Sequence, residues 1–200
     1  MRPVAIGVLA LQGDVPEHAR AVAAWAAPPG VRTVRGPSDL VGLEALLLPG
    51  GESTTIADLL DRTGLRAPLL RAVEGGLAVL ATCAGLILLA REIEPSPGGR
   101  DPRPLGILDV RVRRNDFGRQ RESFEAPVRI DLLRPPRFPG AFVRSPRILA
   151  VGPGAEPIAF RGEEVVGVRA GRVWGLTFHP ELTGDPRLHR AFLAEAGRAR

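Results

Sequence analysis

Three short apolar runs, each closed by a turn of small residues and followed by a helix-forming stretch, limit this chain to one kind of fold. Residues 4–11 (VAIGVLAL) run into Gln12-Gly13, residues 45–48 into Pro49-Gly50-Gly51-Glu52-Ser53, and residues 77–81 into Thr82-Cys83-Ala84-Gly85. Continuous apolar runs of this length are strands buried on both faces, the mark of a parallel sheet covered by helices. After the first run, Asp14 is expected to cap a helix with Glu17 three residues on. That helix carries Val15, His18, Val22, Trp25 and Ala26 on one stripe and stops at Pro28-Pro29-Gly30, before a second strand over 31–34. A helix after Ser53 is expected to break near Gly64 or Pro68 and resume to Val73, and another should span 86–92. Strand and helix alternating at these spacings are βαβ units with right-handed crossovers.

From 105 to 177 the texture changes to short β-rich segments separated by Pro and Gly. These are expected to add antiparallel strands to the sheet and a small subsheet over its carboxyl edge. A last helix over 187–196 should open with Asp185 as cap and Pro186 in its first turn. No linker or internal repeat divides the chain. The expectation is a single α/β domain over residues 1–200: a mainly parallel central sheet flanked by helices, with a small antiparallel β extension.

Composition removes several classes of function. With 44% hydrophobic residues the chain has ample material for a core, so disorder is excluded as its main state. A net charge of +5 invites nucleic acid as a partner, yet all 27 basic residues are scattered arginines, and aromatic residues that could stack bases are only 4%. No apolar run reaches the ~20 residues that span a bilayer, and the first residues lack a signal-peptide pattern. Neither nucleic acid nor membrane is expected as a partner. The single cysteine excludes an internal disulfide and leaves Cys83 as a buried bystander, a reactive thiol or an intermolecular link. The expected location is the cytoplasm.

Three local patterns carry chemistry. Cys83 sits between a buried strand and a helix among small residues, the context of a nucleophile elbow that lifts a side chain above the sheet. The helix start behind it favours the thiolate. In Phe178-His179-Pro180-Glu181, proline holds the chain extended, so His179 and Glu181 fall on one face. Imidazole to take the thiol proton and carboxylate to orient the imidazole are what such a nucleophile needs. Gly50-Gly51 after a strand allows close backbone approach to a ligand, with amides able to hold an oxyanion. Read separately, these have ordinary alternatives: a small buried side chain, a surface His–Glu pair and a strand-to-helix turn.

In this order on an α/β sheet, the three elements resemble the class I glutamine amidotransferases, a flavodoxin-like three-layer fold. Five blocks narrow the likeness to the glutaminase subunits of pyridoxal 5′-phosphate synthases: 7–13 (GVLALQG) with Glu17-His18, 48–55 (LPGGESTT), 82–87 (TCAGLI), 114–120 (RNDFGRQ) with Ser123-Phe124-Glu125, and 178–183 (FHPELT). The likeness runs from residue 4 to about 195. It implies a Cys83, His179 and Glu181 triad that hydrolyses L-glutamine to L-glutamate and ammonia. Gly51, Glu52, Ser53, Arg114, Val143 and Arg144 would contact the glutamine, and Gly51, Ala84, Gln12 and Gly13 would form the oxyanion region. It also implies delivery of ammonia to a synthase subunit in a large hetero-oligomer, with neither cofactor nor metal in this chain. An amidotransferase feeding another synthase, a scaffold with a degenerate site, and a cysteine peptidase or thiol chaperone are the rival readings. The 114–125 block opposes the first and the intact triad the second, while a comparison of glutamine with peptide hydrolysis tests the third. One departure stands out: Ala81 occupies the position two before the cysteine, where the likeness expects glycine.

Overall fold

A computed structural model of the chain describes residues 2–96, 99–114 and 123–198. The stretch from Asn115 to Gln120 in the block that narrows the likeness therefore lies outside the described residues. The first half gives β1 (Ile6–Leu9), β2 (Arg32–Val34), β3 (Ala45–Leu48) and β4 (Ala78–Thr82), interleaved with α1 (Val15–Val22), α2 (Ser53–Arg62) and α3 (Arg66–Glu74). After α4 (Ala84–Leu89) the chain is almost wholly β: β5 (Ala90–Ile93), β6 (Leu108–Arg113), β7 (Phe124–Ile130), β8 (Arg137–Phe142), β9 (Arg147–Val151), β10 (Glu156–Arg161), β11 (Glu164–Ala170) and β12 (Val173–Leu176). It ends in α5 (Arg187–Ala196).

Nine strands form one sheet in the order β2-β1-β3-β4-β12-β11-β10-β7-β8. The first five pair in parallel and the remainder are antiparallel. Strands β5, β6 and β9 make a separate small sheet. The parallel strands β1, β3 and β4 are buried throughout, and alternation along them divides the core. Leu46, Leu48, Val79 and Ala81 pack with α2, α3, α4 and the small sheet. Ile6, Val8, Ala45, Leu47, Ala78 and Leu80 pack on the other face with α1, α5 and the aromatic residues of β8 and β12. The three layers follow from this two-residue period.

Several boundaries differ from expectation. The helix expected over 86–92 starts earlier and ends at Leu89, because other amides capture its last carbonyls. Leu105, Ile107 and Gly106 donate to the oxygens of Leu88, Leu89 and Ala90 at 2.6, 2.9 and 3.2 Å, and residues 90–93 become β5, paired with β6. The first helix ends at Val22, after which Ala23–Trp25 tighten into a 3₁₀ turn while Val4 takes up Ala26 as an isolated bridge partner. Asp14 does not cap α1 through its side chain, and Glu17 pairs with Arg20 at 2.8 Å. At α5 the cap residue is Pro186, one later than expected, although Asp185 Oδ1 still accepts the Arg187 N–H at 3.0 Å. The break after α2 falls at Gly64, whose φ is +69°, and Pro68 lies harmlessly within the first turn of α3.

The excess methyl of Ala81 is absorbed without a bulge. Ala81 is fully buried in β4, in register with Leu48 on one side and Gly175 on the other. Gly175 has no side chain to contest the space, which Leu86 and Leu108 fill instead.

Candidate active site

Cys83 is placed by a turn that its residue type does not favour. It has φ 47° and ψ −104°, and it follows β4 directly and caps α4. Non-glycine residues in this region cost on the order of 1–3 kcal/mol, and such strain collects at functional sites. Its amide donates to Leu176 O at 2.8 Å, which ties the elbow to the end of β12. Gly85 permits the turn, since a Cβ there would lie 2.4 Å from Leu48 O. Among the described residues, Arg144 is the other non-glycine residue with positive φ, at 44°. Both border one cavity of about 130 Å³.

The neighbouring strand supplies the partner groups. Because β12 pairs in parallel with β4, from Val173↔Val79 to Leu176↔Thr82, the segment leaving β12 emerges beside the segment leaving β4. His179 thus borders the cavity with Cys83 although 96 residues separate them (179 − 83). The His179 backbone amide is held by Ala141 O at 2.8 Å, and its Nδ1 lies 2.7 Å from Glu181 Oε1 and 3.3 Å from Asp14 Oδ2. The expected extended run does not persist to Glu181: Pro180–Leu182 form a 3₁₀ turn, with Pro180 at the first position where its fixed φ suits a helix start, and Glu181 meets His179 from within that turn. Burial by itself would push the His179 pKa down. Interactions with Asp14, Cys83 and Glu181 outweigh burial and raise it to about 12. The Glu181 side chain is wholly enclosed. Burial would raise its pKa, but the adjoining His18 and His179 hold it well below the usual carboxylate range. The result is an imidazole biased toward its cationic form next to a thiol, with an anion behind it.

The cavity is lined by Gly51, Glu52, Ser53, Cys83, Arg114, Val143, Arg144 and His179, all expected from sequence, together with Asp14 and Ile87. Arg114 bridges its walls: Nη2 donates to Glu52 Oε1 at 3.2 Å and Thr54 Oγ1 at 3.3 Å, while Nη1 donates to Asp101 Oδ1 at 3.2 Å. A carboxylate and a guanidinium at one mouth match the two charges of an amino-acid head group. Gln12, Gly13, Ala84 and Glu181 do not border the cavity. Gln12 stands behind the glycine turn and accepts the Glu52 N–H at 2.7 Å. Gly13 packs so closely on Gly50 that a Cβ would fall 1.8 Å from Gly50 O. Ala84 begins α4, where the first amides have no acceptor within the helix. The Cys83 S–H meets Val143 O at 3.8 Å.

Three contributors had no role in the site assigned from the sequence, although His18 and Thr82 stand within the blocks that carry the likeness. Asp14 reads as a helix cap and turns instead to His179. His18 reads as part of an apolar stripe, yet its Nε2 meets Glu181 and Thr82. Thr82 Oγ1 accepts the Gly50 N–H at 3.1 Å, joining the elbow to the glycine turn. The available signals were weak: a histidine among apolar helix positions and a hydroxyl beside the cysteine. His179 Nδ1, Asp14 and Glu181 lie within 4.8 Å of one another, a spacing compatible with a cation. The 2.7 Å bond to Glu181 already engages the imidazole nitrogen that such an ion would need.

Residues 8–197 match the SNO glutamine amidotransferase family. The chain belongs to that family. It is 47% identical over 196 residues to the pyridoxal 5′-phosphate synthase subunit PdxT of Thermococcus onnurineus, covering 96% of this chain and 98% of that one. It is 50% identical over 193 residues to the protein of the same name from Deinococcus radiodurans, covering 96% and 97%. A crystal structure of a glutamine amidotransferase superposes with a TM-score of 0.86 at 45% identity, over 97% of this chain and all of that one. A putative GMP synthase subunit from Thermoplasma acidophilum shares the fold alone, with a TM-score of 0.69 at 17% identity over 98% and 95% of the chains. Membership of the family fits an α/β sheet whose cysteine elbow and histidine segment leave adjacent parallel strands. Among the described residues, no helix is long and apolar enough to cross a membrane.

Proposed function

We propose that Cys83, His179 and Glu181 carry out the glutamine hydrolysis by which this amidotransferase supplies ammonia for pyridoxal 5′-phosphate synthesis. The observation that carries the reading is the strained Cys83 sharing a cavity with His179, whose Nδ1 is held at 2.7 Å by the enclosed Glu181. His179 takes the thiol proton, and the thiolate attacks the side-chain amide carbon of L-glutamine. Backbone amides at Gly51 and Ala84, in the oxyanion region that Gln12 and Gly13 support, hold the oxygen as it becomes negative. The C–N bond then breaks, His179 returns its proton to the departing nitrogen, and ammonia leaves with a glutamyl thioester on Cys83. Water, deprotonated by His179, attacks the thioester, releasing L-glutamate and restoring the thiol.

Arg114 receives the α-carboxylate and Glu52 the α-ammonium, while Gly51, Ser53, Val143 and Arg144 shape the rest of the glutamine site. Ammonia would become ammonium in neutral water, so productive transfer calls for a docked synthase subunit. That subunit is the partner we infer in a hetero-oligomer, with this chain acting as one domain in the cytoplasm, where a lone thiol stays reduced. The test is glutamate release from L-glutamine by the purified chain, alone and mixed with a pyridoxal phosphate synthase subunit, beside Cys83→Ala. Weak activity alone that rises with the partner and vanishes in Cys83→Ala is expected. Absence of glutamate under both conditions, with Cys83 inert to a glutamine-mimicking alkylator, overturns the reading.

A further inference from the structure

Behind the proposed triad lies a fully buried polar group that the reaction above does not use. His18, on the inner face of α1, has no exposed surface, and its Nε2 sits 3.3 Å from Glu181 Oε1 and 3.1 Å from Thr82 Oγ1. Both contacts that orient the Glu181 carboxylate, from His179 and from His18, fall on Oε1, and Oε2 has no protein partner. A carboxylate held through one oxygen can turn about its own axis unless that oxygen is fixed from two sides. His179 fixes it from one side and His18 from the other.

The histidine has no other evident task. Its Nδ1 has no protein partner, so the imidazole is not a core bridge satisfied at both ends. An Nε2 this close to an oxygen of an ionised carboxylate carries a proton, because two facing lone pairs would repel. His189, whose ring centre is 6.1 Å away, makes no hydrogen bond through either nitrogen, and burial pushes its pKa down to about 4. It is therefore neutral and offers Glu181 no competing cation.

We propose that His18 is a positioning residue for glutamine hydrolysis: its Nε2–H holds the Glu181 carboxylate on His179 and couples it to the hydroxyl of Thr82, the residue before the nucleophile. Thr82 in turn accepts from Gly50 of the glycine turn, so one buried imidazole links the orienting carboxylate, the elbow and the oxyanion loop. The inference rests on the proposed triad and adds to it a member supplied by α1.

Three variants test it, each assayed with the synthase subunit present. His18→Leu keeps apolar bulk without a donor, His18→Gln carries an N–H donor at the reach of Nε2, and His18→Asn carries a donor that stops short. Expected is a fall in kcat of about 10- to 100-fold for the Leu and Asn variants with KM within twofold, by analogy with the outer-shell partners that orient ligands in metal sites. His18→Gln should recover most of the loss. A merely structural histidine predicts instead that the Gln and Asn variants, both with a buried amide, behave alike. That result, or a kcat unchanged in His18→Leu, overturns the proposal. Alkylation of Cys83 by iodoacetamide separates the two readings, since it needs the thiol and its base but no glutamine. A wild-type chain that alkylates readily yet releases no glutamate sinks the glutamine reading alone. Equal alkylation rates in wild type, His18→Leu and His18→Asn sink the role of His18.

Discussion

At the scale of single residues, the nucleophile occupies a conformation suited to glycine. Cys83 at φ 47° and ψ −104° holds its Cβ against its own backbone, at a cost on the order of 1–3 kcal/mol. Two substitutions isolate that cost. Cys83→Ala keeps the Cβ and the strain, whereas Cys83→Gly removes both, and each abolishes the thiol. In regular elements glycine is less stable than alanine by roughly 0.5–1 kcal/mol. Here the order should invert, with Cys83→Gly more stable than Cys83→Ala by about 1 kcal/mol or more in urea unfolding. An alanine variant equal to or above the glycine variant would show that the elbow stores no strain. Cys83 was legible in the sequence because a cysteine among small residues between strand and helix has a local physical meaning. A 3₁₀ turn over Pro180–Leu182 and not an extended run sets the contact of His179 with Glu181, so their nearness was legible too, but for the wrong reason. Asp14 was not, because an aspartate before a helix has a ready local role as a cap. Its contact with His179 depends on the segment after β12, 165 residues further along the chain (179 − 14).

Elements were legible where their signal was local and obscured where distant backbone intervened. The buried runs became β1, β3 and β4 within two residues of their expected ends, and Gly64 stopped α2 as its type predicts. The end of α4 was hidden because its final carbonyls are claimed by amides of residues 105–107, which no local pattern announces. The start of α4 is the more consequential end, since it carries Cys83. It lies so near β3 that a Cβ on Gly85 would meet the Leu48 carbonyl oxygen at 2.4 Å and its carbon at 3.1 Å. Both are backbone atoms and cannot step aside as a flexible side chain would. Gly85→Ala must therefore move α4 away from the sheet, at about 1–3 kcal/mol for an overpacked site. That corresponds to roughly 2–4 °C of melting temperature per kcal/mol in a chain of this length. Glutamate release measured well below the melting point should fall by more than the unfolded fraction explains, because the displaced helix takes the nucleophile with it. Wild-type melting and activity together would refute the close-packing argument.

For the whole molecule, the decisive arrangement is the meeting of two sheets at one cavity. The nine-stranded sheet supplies Cys83 and His179 from neighbouring strands, while Arg114 follows β6 of the small sheet and reaches across to Glu52 at the start of α2. Its guanidinium is enclosed, with 11% of the side chain exposed, and is shared among Glu52, Thr54 and Asp101. The sequence placed Arg114 among the glutamine contacts by resemblance, but its pairing with Glu52 emerges only when the sheets are seen together. In the proposed roles, an incoming amino acid replaces one salt bridge with two, its carboxylate taking Arg114 and its ammonium taking Glu52. Such a group acts on binding, because the α-carbon charges are the same in ground and transition states. A hydrogen bond to a charged partner contributes about 1.5–3 kcal/mol, or roughly 10- to 150-fold in affinity. Arg114→Ala should therefore raise KM for L-glutamine by about that factor while kcat stays within severalfold. The variant should also lose most of its preference for L-glutamine over an analogue lacking the α-carboxylate, which separates lost recognition from a general loosening of the two sheets. A fall in kcat with KM unchanged would move Arg114 from substrate binding to the support of Glu52 and the oxyanion loop.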